Sequence, residues 1–236
     1  YMLGVYELQE RLITEFPELL LENCSSGGAR FDPGMLYYSP QIWCSDDTDA
    51  IERLAIQEGT ALLFPLSTIG AHVSDCPNHV LGRTVPFITR GHVALAGTFG
   101  YELDVTKISK EEYDMIPVQI TQYHKYNELM VSGDYYRVAS YRENHLYDFY
   151  GVVSKEKDKA LYTYVQVLNR PNYKSRVLQI PGLDENTRYQ VKIHDWQTGN
   201  EIPEFTLHGD TLKNAGITLE AAKGDFVSCL IEITKI

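Results

Sequence analysis

The apolar positions of this chain keep a helical period, broken by short strand-like runs, up to about residue 132, and an alternating period after it. Tyr1, Val5, Leu8, Leu12 and Phe16 recur at helical spacing until Pro17, which predicts an amphipathic helix at the start. Leu19-Leu20-Leu21 predicts a short buried strand ending in Glu22-Asn23-Cys24, with Ser25-Ser26-Gly27-Gly28 as its loop. Gln41-Ile42-Trp43-Cys44 predicts a second strand that runs into Ser45-Asp46-Asp47-Thr48-Asp49. Asp49 stands three residues before Glu52, a capping arrangement for a helix whose apolar face is Ile51, Leu54 and Ala55. A third strand is expected within 66–73, a helix over 85–96 and a fourth strand over 98–103. Ser109-x-x-Glu112 is a full capping-box signature for a long helix toward Met130, with Tyr113, Ile116, Ile120, Tyr123 and Met130 as its buried stripe. Pro117 fits that helix only as an early position or a kink.

Past Gly133, the runs 162–167, 189–193 and 226–234 are mostly alternating, with turn signals at Gly182, Gly199-Asn200, Gly209-Asp210 and Gly224-Asp225. The chain is therefore expected to be α/β in its first part and antiparallel β in its second. Strand–helix alternation with polar residues just after the strand ends is how a (β/α)8 TIM barrel displays a site on one rim. Four such units cannot close eight strands. The expectation is the second half of a barrel over 1–132 and an antiparallel β-sandwich over 133–236. The opening residues carry no initiator Met, basic segment or cleavage signal and enter the helix pattern directly, which suggests a portion of a longer polypeptide.

Composition narrows the partners. The chain has 236 residues, 44% hydrophobic and 22% charged, with a formal net charge of -11. Nucleic acid and anionic membranes need a clustered basic surface, so both are excluded as expected partners, whereas a neutral sugar is not. No run approaches the roughly 20 apolar residues that cross a bilayer. Cys24, Cys44, Cys76 and Cys229 have no C-x-x-C spacing, which argues against a zinc site and for a reducing, cytoplasmic setting.

Two motifs carry the chemistry: the run from Glu22 to Gly34 with Cys24-Ser25-Ser26-Gly27-Gly28-Ala29-Arg30 at its centre, and Trp43-Cys44-Ser45-Asp46-Asp47-Thr48-Asp49. In this order they resemble the fifth and sixth barrel strands of glycoside hydrolase family 36, the α-galactosidases. The resemblance continues through Gly70-Ala71-His72-Val73-Ser74, Gly97-Thr98-Phe99-Gly100-Tyr101-Glu102 and the trailing β domain. It implies a retaining hydrolase that releases terminal α-linked galactose from oligosaccharides of the melibiose or raffinose type, with no cofactor or metal. It maps Asp46 to the proton donor and Cys24, Ser26 and Gly27 to the border of the galactose, with Arg30 close by. The family's nucleophile, in a Lys-Trp-Asp-Met-Asn-like segment, has no counterpart in these residues, so the chain alone is expected to be inactive. The family's enzymes are often oligomers. Ala29 stands where the family carries glycine and Cys44 where it carries threonine, both small for small. Retaining hydrolysis needs two carboxyl groups, one nucleophilic and one acid then base, and an aspartate in an acidic cluster at a strand end suits the second role.

Plainer roles stand beside these. Asp46, Asp47 and Asp49 could all serve a helix N-terminus. Cys24 alone would read as a small buried residue, and Arg30 as a structural partner of an acid. His72 and His92 lack partners at metal-ligand spacing and read as core or rim histidines. The 17 tyrosines read mainly as packing. The rival functions are a related α-N-acetylgalactosaminidase or galactosyl transferase, and a non-catalytic carbohydrate-binding or structural fragment.

Overall fold

The computed structural model describes residues 1–27, 31–172, 175–194, 204–220 and 222–236. Arg30, with Gly28 and Ala29, and the Gly199-Asn200 turn signal lie outside the described residues.

The first part begins with helix α1 (Met2–Glu15) and strand β1 (Glu22–Asn23), followed by α2 (Pro33–Tyr38), β2 (Gln41–Ile42) and α3 (Ala50–Ala61). A single 3-10 turn at 66–68 precedes β3 (Gly70–Ser74), α4 (Phe87–Ala94), β4 (Thr98–Glu102) and α5 (Lys110–Ser132). The strands pair in parallel in chain order: Glu22 opposite Gln41, a bridge from Ile42 to Ile69, and Gly70 opposite Thr98. Side chains alternate across this arc. Ile42, Ile69, Ala71 and Val73 are 0% exposed on the face turned to the helices. Gln41, Trp43, His72, Thr98 and Gly100 lie on the other face, which is partly open.

Two expectations are corrected. Leu19 and Leu20 are exposed, and the strand begins only at Glu22, so the leucine run is an approach to the strand. The buried stripe of α5 is Gln119, Tyr126 and Met130, with Tyr113 and Ile120 exposed. Gln119 is buried because its amide donates to the Phe87 carbonyl at 3.0 Å and accepts from the Tyr101 hydroxyl at 2.8 Å. The capping box at Ser109 and Glu112 forms in both directions, and Pro117 lies inside the helix.

The second part contains β5 (Asp134–Ala139), α6 (Tyr141–Asn144), β6 (Tyr147–Val153), β7 (Lys159–Gln166), β8 (Ser175–Leu178) and β9 (Arg188–Ile193). It ends with β10 (Phe205–His208), α7 (Gly209–Asn214), β11 (Ile217–Glu220) and β12 (Val227–Lys235). Gly209 thus opens a short helix instead of a turn. Six antiparallel strands run in the order β10-β9-β12-β7-β6-β5, and β11 pairs with β8 in a smaller sheet. The central strands are buried on both sides because the large sheet separates two cores. Phe149, Tyr162, Tyr164 and Ile231 face the small sheet through Leu178, Ile217 and Leu219. Tyr150, Val152, Leu161, Val165 and Leu230 face α3, α4 and α5.

Helix α4 is wedged between the arc and β12 and is buried along most of its length. A directed chain of hydrogen bonds fixes it there. Thr89 Oγ1 donates to the Phe226 carbonyl at 2.9 Å, so it accepts from Ser228 Oγ, also at 2.9 Å. Ser228 therefore accepts from His92 Nδ1–H at 2.8 Å, which sets the tautomer of the ring. Burial pushes the pKa of His92 down to about 3, with His194 adding to the shift, so the ring is neutral. His92 is a core histidine.

Asp148 in β6 is 2% exposed and accepts from the Tyr141 amide at 2.9 Å. Burial pushes its carboxyl up to about 7; the Tyr141 hydrogen bond opposes this, Glu58 reinforces it and Arg137 opposes it. The folded-state value lies above the unfolded carboxylate value of about 4. The native chain therefore holds this proton more tightly, and the group's contribution to stability is lost as pH rises from about 4 through about 7. Asp148→Asn is expected to match the parent in denaturant unfolding near pH 4 and to exceed it by roughly 2–4 kcal/mol at pH 8. Parallel loss of stability in both proteins would disprove the assignment.

Candidate active site

The site lies where the parallel strands end. Trp43 N donates to the Asn23 carbonyl at 2.8 Å, so β1 and β2 stay in register to their last residues. The loops that follow, 24–27 and 44–49, consequently leave the same rim side by side. Ser25, Ser26 and Gly27 all have positive φ, at 64°, 61° and 74°. Two consecutive serines in the left-handed region are costly, and glycine is the residue that holds it most readily. The left-handed turn brings the loop back over the second strand end. A Cβ on Gly27 would stand 3.5 Å from the Asp46 amide nitrogen and 3.9 Å from Asp46 Oδ2.

The three aspartates of the second loop separate by what they hold. Asp49 is 2% exposed and caps α3, accepting from the amides of Ile51 at 3.0 Å and Glu52 at 3.1 Å. It also pairs with Arg83, which reaches Glu52 at 3.3 Å as well. Asp47 accepts from the Asp49 amide at 3.0 Å, and its own amide donates to Ser45 Oγ at 3.1 Å. Asp46 takes no part in this capping. Its Oδ2 accepts from Ser26 Oγ at 3.4 Å, a long hydrogen bond across the rim. Of the predicted residues, the structure therefore brings Asp46, Ser26 and Gly27 together, with half-buried Cys24 at the start of the same loop. Asp46 is exposed in this chain.

Sequence reasoning missed the residues that hold the rim. Arg53 on α3 and Arg90 on α4 are 2% and 6% exposed. Arg90 donates to the Ser74 carbonyl at the end of β3 at 2.8 Å, to the Val85 carbonyl at 3.1 Å and to Glu112 Oε1 at 2.5 Å. The available signal was period: positions 50, 53, 54 and 57 form one helical face. Arg53 and Gln57 occupy it, while Ala55, expected there, is half-exposed. Trp43 and His72 stack at 4.6 Å and 23°, and His72 Nδ1 lies 3.6 Å from Glu102 Oε2. Among the described residues no group of three or more His, Cys, Asp or Glu is arranged to hold a metal. No helix among them is long and apolar enough to cross a membrane.

Residues 1–133 match the Melibiase family model, and residues 147–233 match the glycosyl hydrolase family 36 C-terminal domain. The chain is 43% identical over 230 residues to α-galactosidase AgaA of Geobacillus stearothermophilus, covering 98% of this chain and 30% of that enzyme. It is 45% identical over 219 residues to the bifunctional α-galactosidase/sucrose kinase AgaSK of Mediterraneibacter gnavus, covering 93% and 22%. A crystal structure of a variant of the Geobacillus stearothermophilus AgaA in complex with raffinose superposes with a TM-score of 0.91 at 41% identity, over 100% of this chain and 31% of that one. The chain thus spans less than a third of the length of these relatives.

The division of labour among the acids is testable by unfolding. Asp49→Ala is expected to cost about 1–3 kcal/mol in urea, through the lost cap and the lost buried partner of Arg83, which keeps only Glu52. Asp46→Asn should stay within about 0.5 kcal/mol of the parent. Equal costs would mean that Asp46 is also structural.

Proposed function

The chain belongs to glycoside hydrolase family 36, the α-galactosidases, and from that premise we propose that it supplies the general acid/base half of a retaining active site for terminal α-linked galactose. The observation that carries the reading is the position of Asp46. The Asp49 carboxylate caps α3 and the Asp47 carboxylate accepts from the Asp49 amide, whereas the Asp46 carboxylate faces the turn at 24–27 and accepts from Ser26. In the double displacement, Asp46 protonates the departing glycosidic oxygen and then deprotonates the water that releases galactose. Cys24, Ser26 and Gly27 border the sugar, and the resemblance of the motif adds Arg30 to them. Gly27 combines a left-handed backbone with no side chain, which suits close approach of a sugar face.

The partner carboxylate, which attacks the anomeric carbon, belongs to polypeptide outside these 236 residues. In this reading residues 1–132 are the second half of a (β/α)8 barrel and 133–236 a β-sandwich. The parallel arc in chain order supports the first assignment. So does α1, which has no fully buried residue and leaves Leu3, Leu8 and Phe16 exposed. The two sheets closing on one core support the second. Raffinose-type oligosaccharides are the proposed substrates, in keeping with the raffinose bound by the relative. Cys24, Cys44 and Cys76, which form no disulfide among the described residues, support a cytoplasmic setting.

In the full-length enzyme, Asp46→Asn is expected to lower kcat on raffinose by about 10²–10⁴, with proton NMR of the parent reaction giving α-galactose as the first product. The isolated chain should release no galactose. Unchanged kcat in the variant, or hydrolysis by the isolated chain, would overturn this reading.

A further inference from the structure

We propose that Arg53 is the positioning residue for the Asp46 carboxyl, acting through the backbone one residue before it. The inference rests on the acid/base reading of Asp46 and adds the part that aims it.

Beyond the single bridge from Ile42 to Ile69, β2 and β3 are not paired to each other. The strand end that carries the acid loop therefore lacks the ladder that would ordinarily hold its carbonyls. Arg53 reaches this gap from α3. Its Nη2 donates to the Gly70 carbonyl at 2.5 Å and its Nη1 to the Ser45 carbonyl at 3.2 Å. One rigid fork thus ties the residue before Asp46 to the start of β3. The fork is itself aimed: Nε donates to Gln57 Oε1 at 3.2 Å, and the Gln57 amide donates to the Val93 carbonyl of α4 at 3.0 Å.

The guanidinium also lies over the Trp43 ring, 4.6 Å from its centre, and Trp43 stacks on His72. Gly70 leaves room for this arrangement, since a Cβ there would come within 3.2 Å of Trp43 Cε3 and of the Ile42 carbonyl. Burial lowers the pKa of Arg53 from its ordinary value, and Cys44, Glu102 and Asp47 act in the opposite direction. Its contact toward Asp46 is the Ser45 carbonyl. The acid loop is therefore pinned at its start by Arg53 and at its end by the Asp49–Arg83 pair, with the Asp46 side chain between the two anchors. Lysine keeps the charge but not the two-pronged geometry. A shift of about 1 Å in a reacting group is enough to cost on the order of 10²-fold in rate.

The test exploits leaving-group chemistry. A dinitrophenyl galactoside expels a stable anion and needs no proton from Asp46, whereas methyl α-galactoside does. In the full-length enzyme, kcat/KM is measured for both substrates with Arg53→Lys, Arg53→Met and Asp46→Ala. The ratio between substrates on one preparation does not depend on the fraction of enzyme that is folded. Both Arg53 variants are expected to lose about 10-fold or more on the methyl galactoside relative to the dinitrophenyl galactoside, in the same direction as Asp46→Ala. An unchanged ratio in the Arg53 variants, with Asp46→Ala still discriminating, overturns the positioning role alone. If Asp46→Ala does not discriminate, the acid/base reading fails and the proposal falls with it.

Discussion

Carbonyl groups at the ends of short parallel strands must find donors, and in this chain buried guanidinium groups are among the donors. Each parallel pairing lasts only one to five residues before the chain turns away. Arg53 takes up the carbonyls of Ser45 and Gly70, and Arg90 those of Ser74 and Val85. Arg90 comes from the helix that follows β3, and Arg53 from the helix between β2 and β3, whose ends it joins. Arginine suits the task because its planar fork reaches two acceptors at once and stays charged when buried. Removing either would leave unpaired polar groups in a dry region, which is why these contacts govern the rim more than the apolar packing beneath it.

The antiparallel sheet contributes rigidity from behind. Its central strands place alternate side chains into two cores, and one of those cores is shared with α3, α4 and α5. The helices that carry Arg53 and Arg90 are thus seated on the sheet, and the hydroxyl chain from Thr89 through Ser228 to His92 seats α4 further. A loop bearing the proposed acid/base can be exposed and still be well placed when the elements beside it are held in this way.

Exposure of Asp46 and of the apolar side of α1 has a common explanation in the proposed half-barrel. The arc turns one face to the helices and leaves Trp43, His72, Thr98 and Gly100 partly uncovered on the other. Polar and aromatic side chains on such a face suit the lining of a barrel mouth, whereas Ile42, Ile69, Ala71 and Val73 suit a dry core.

Local signals determined much of this protein. Side-chain period marked α1 and α3 and the strands β7, β9 and β12; capping chemistry marked the starts at Asp49 and Ser109. The two strand-end motifs were legible because loop glycine and clustered acids are local features. What the sequence could not supply was pairing and partners. Leu19 and Leu20 look like a strand, but strand formation needs a neighbour, and the neighbour of β1 begins opposite Glu22. Three aspartates within four residues differ little in local signal beyond the capping position of Asp49, and the contacts that distinguish them, Arg83 at Asp49, the Asp49 amide at Asp47 and Ser26 at Asp46, come from folding. An arginine on a helix reads as solvated until tertiary contacts bury it, because its burial is tolerable only where carbonyls converge from distant strands.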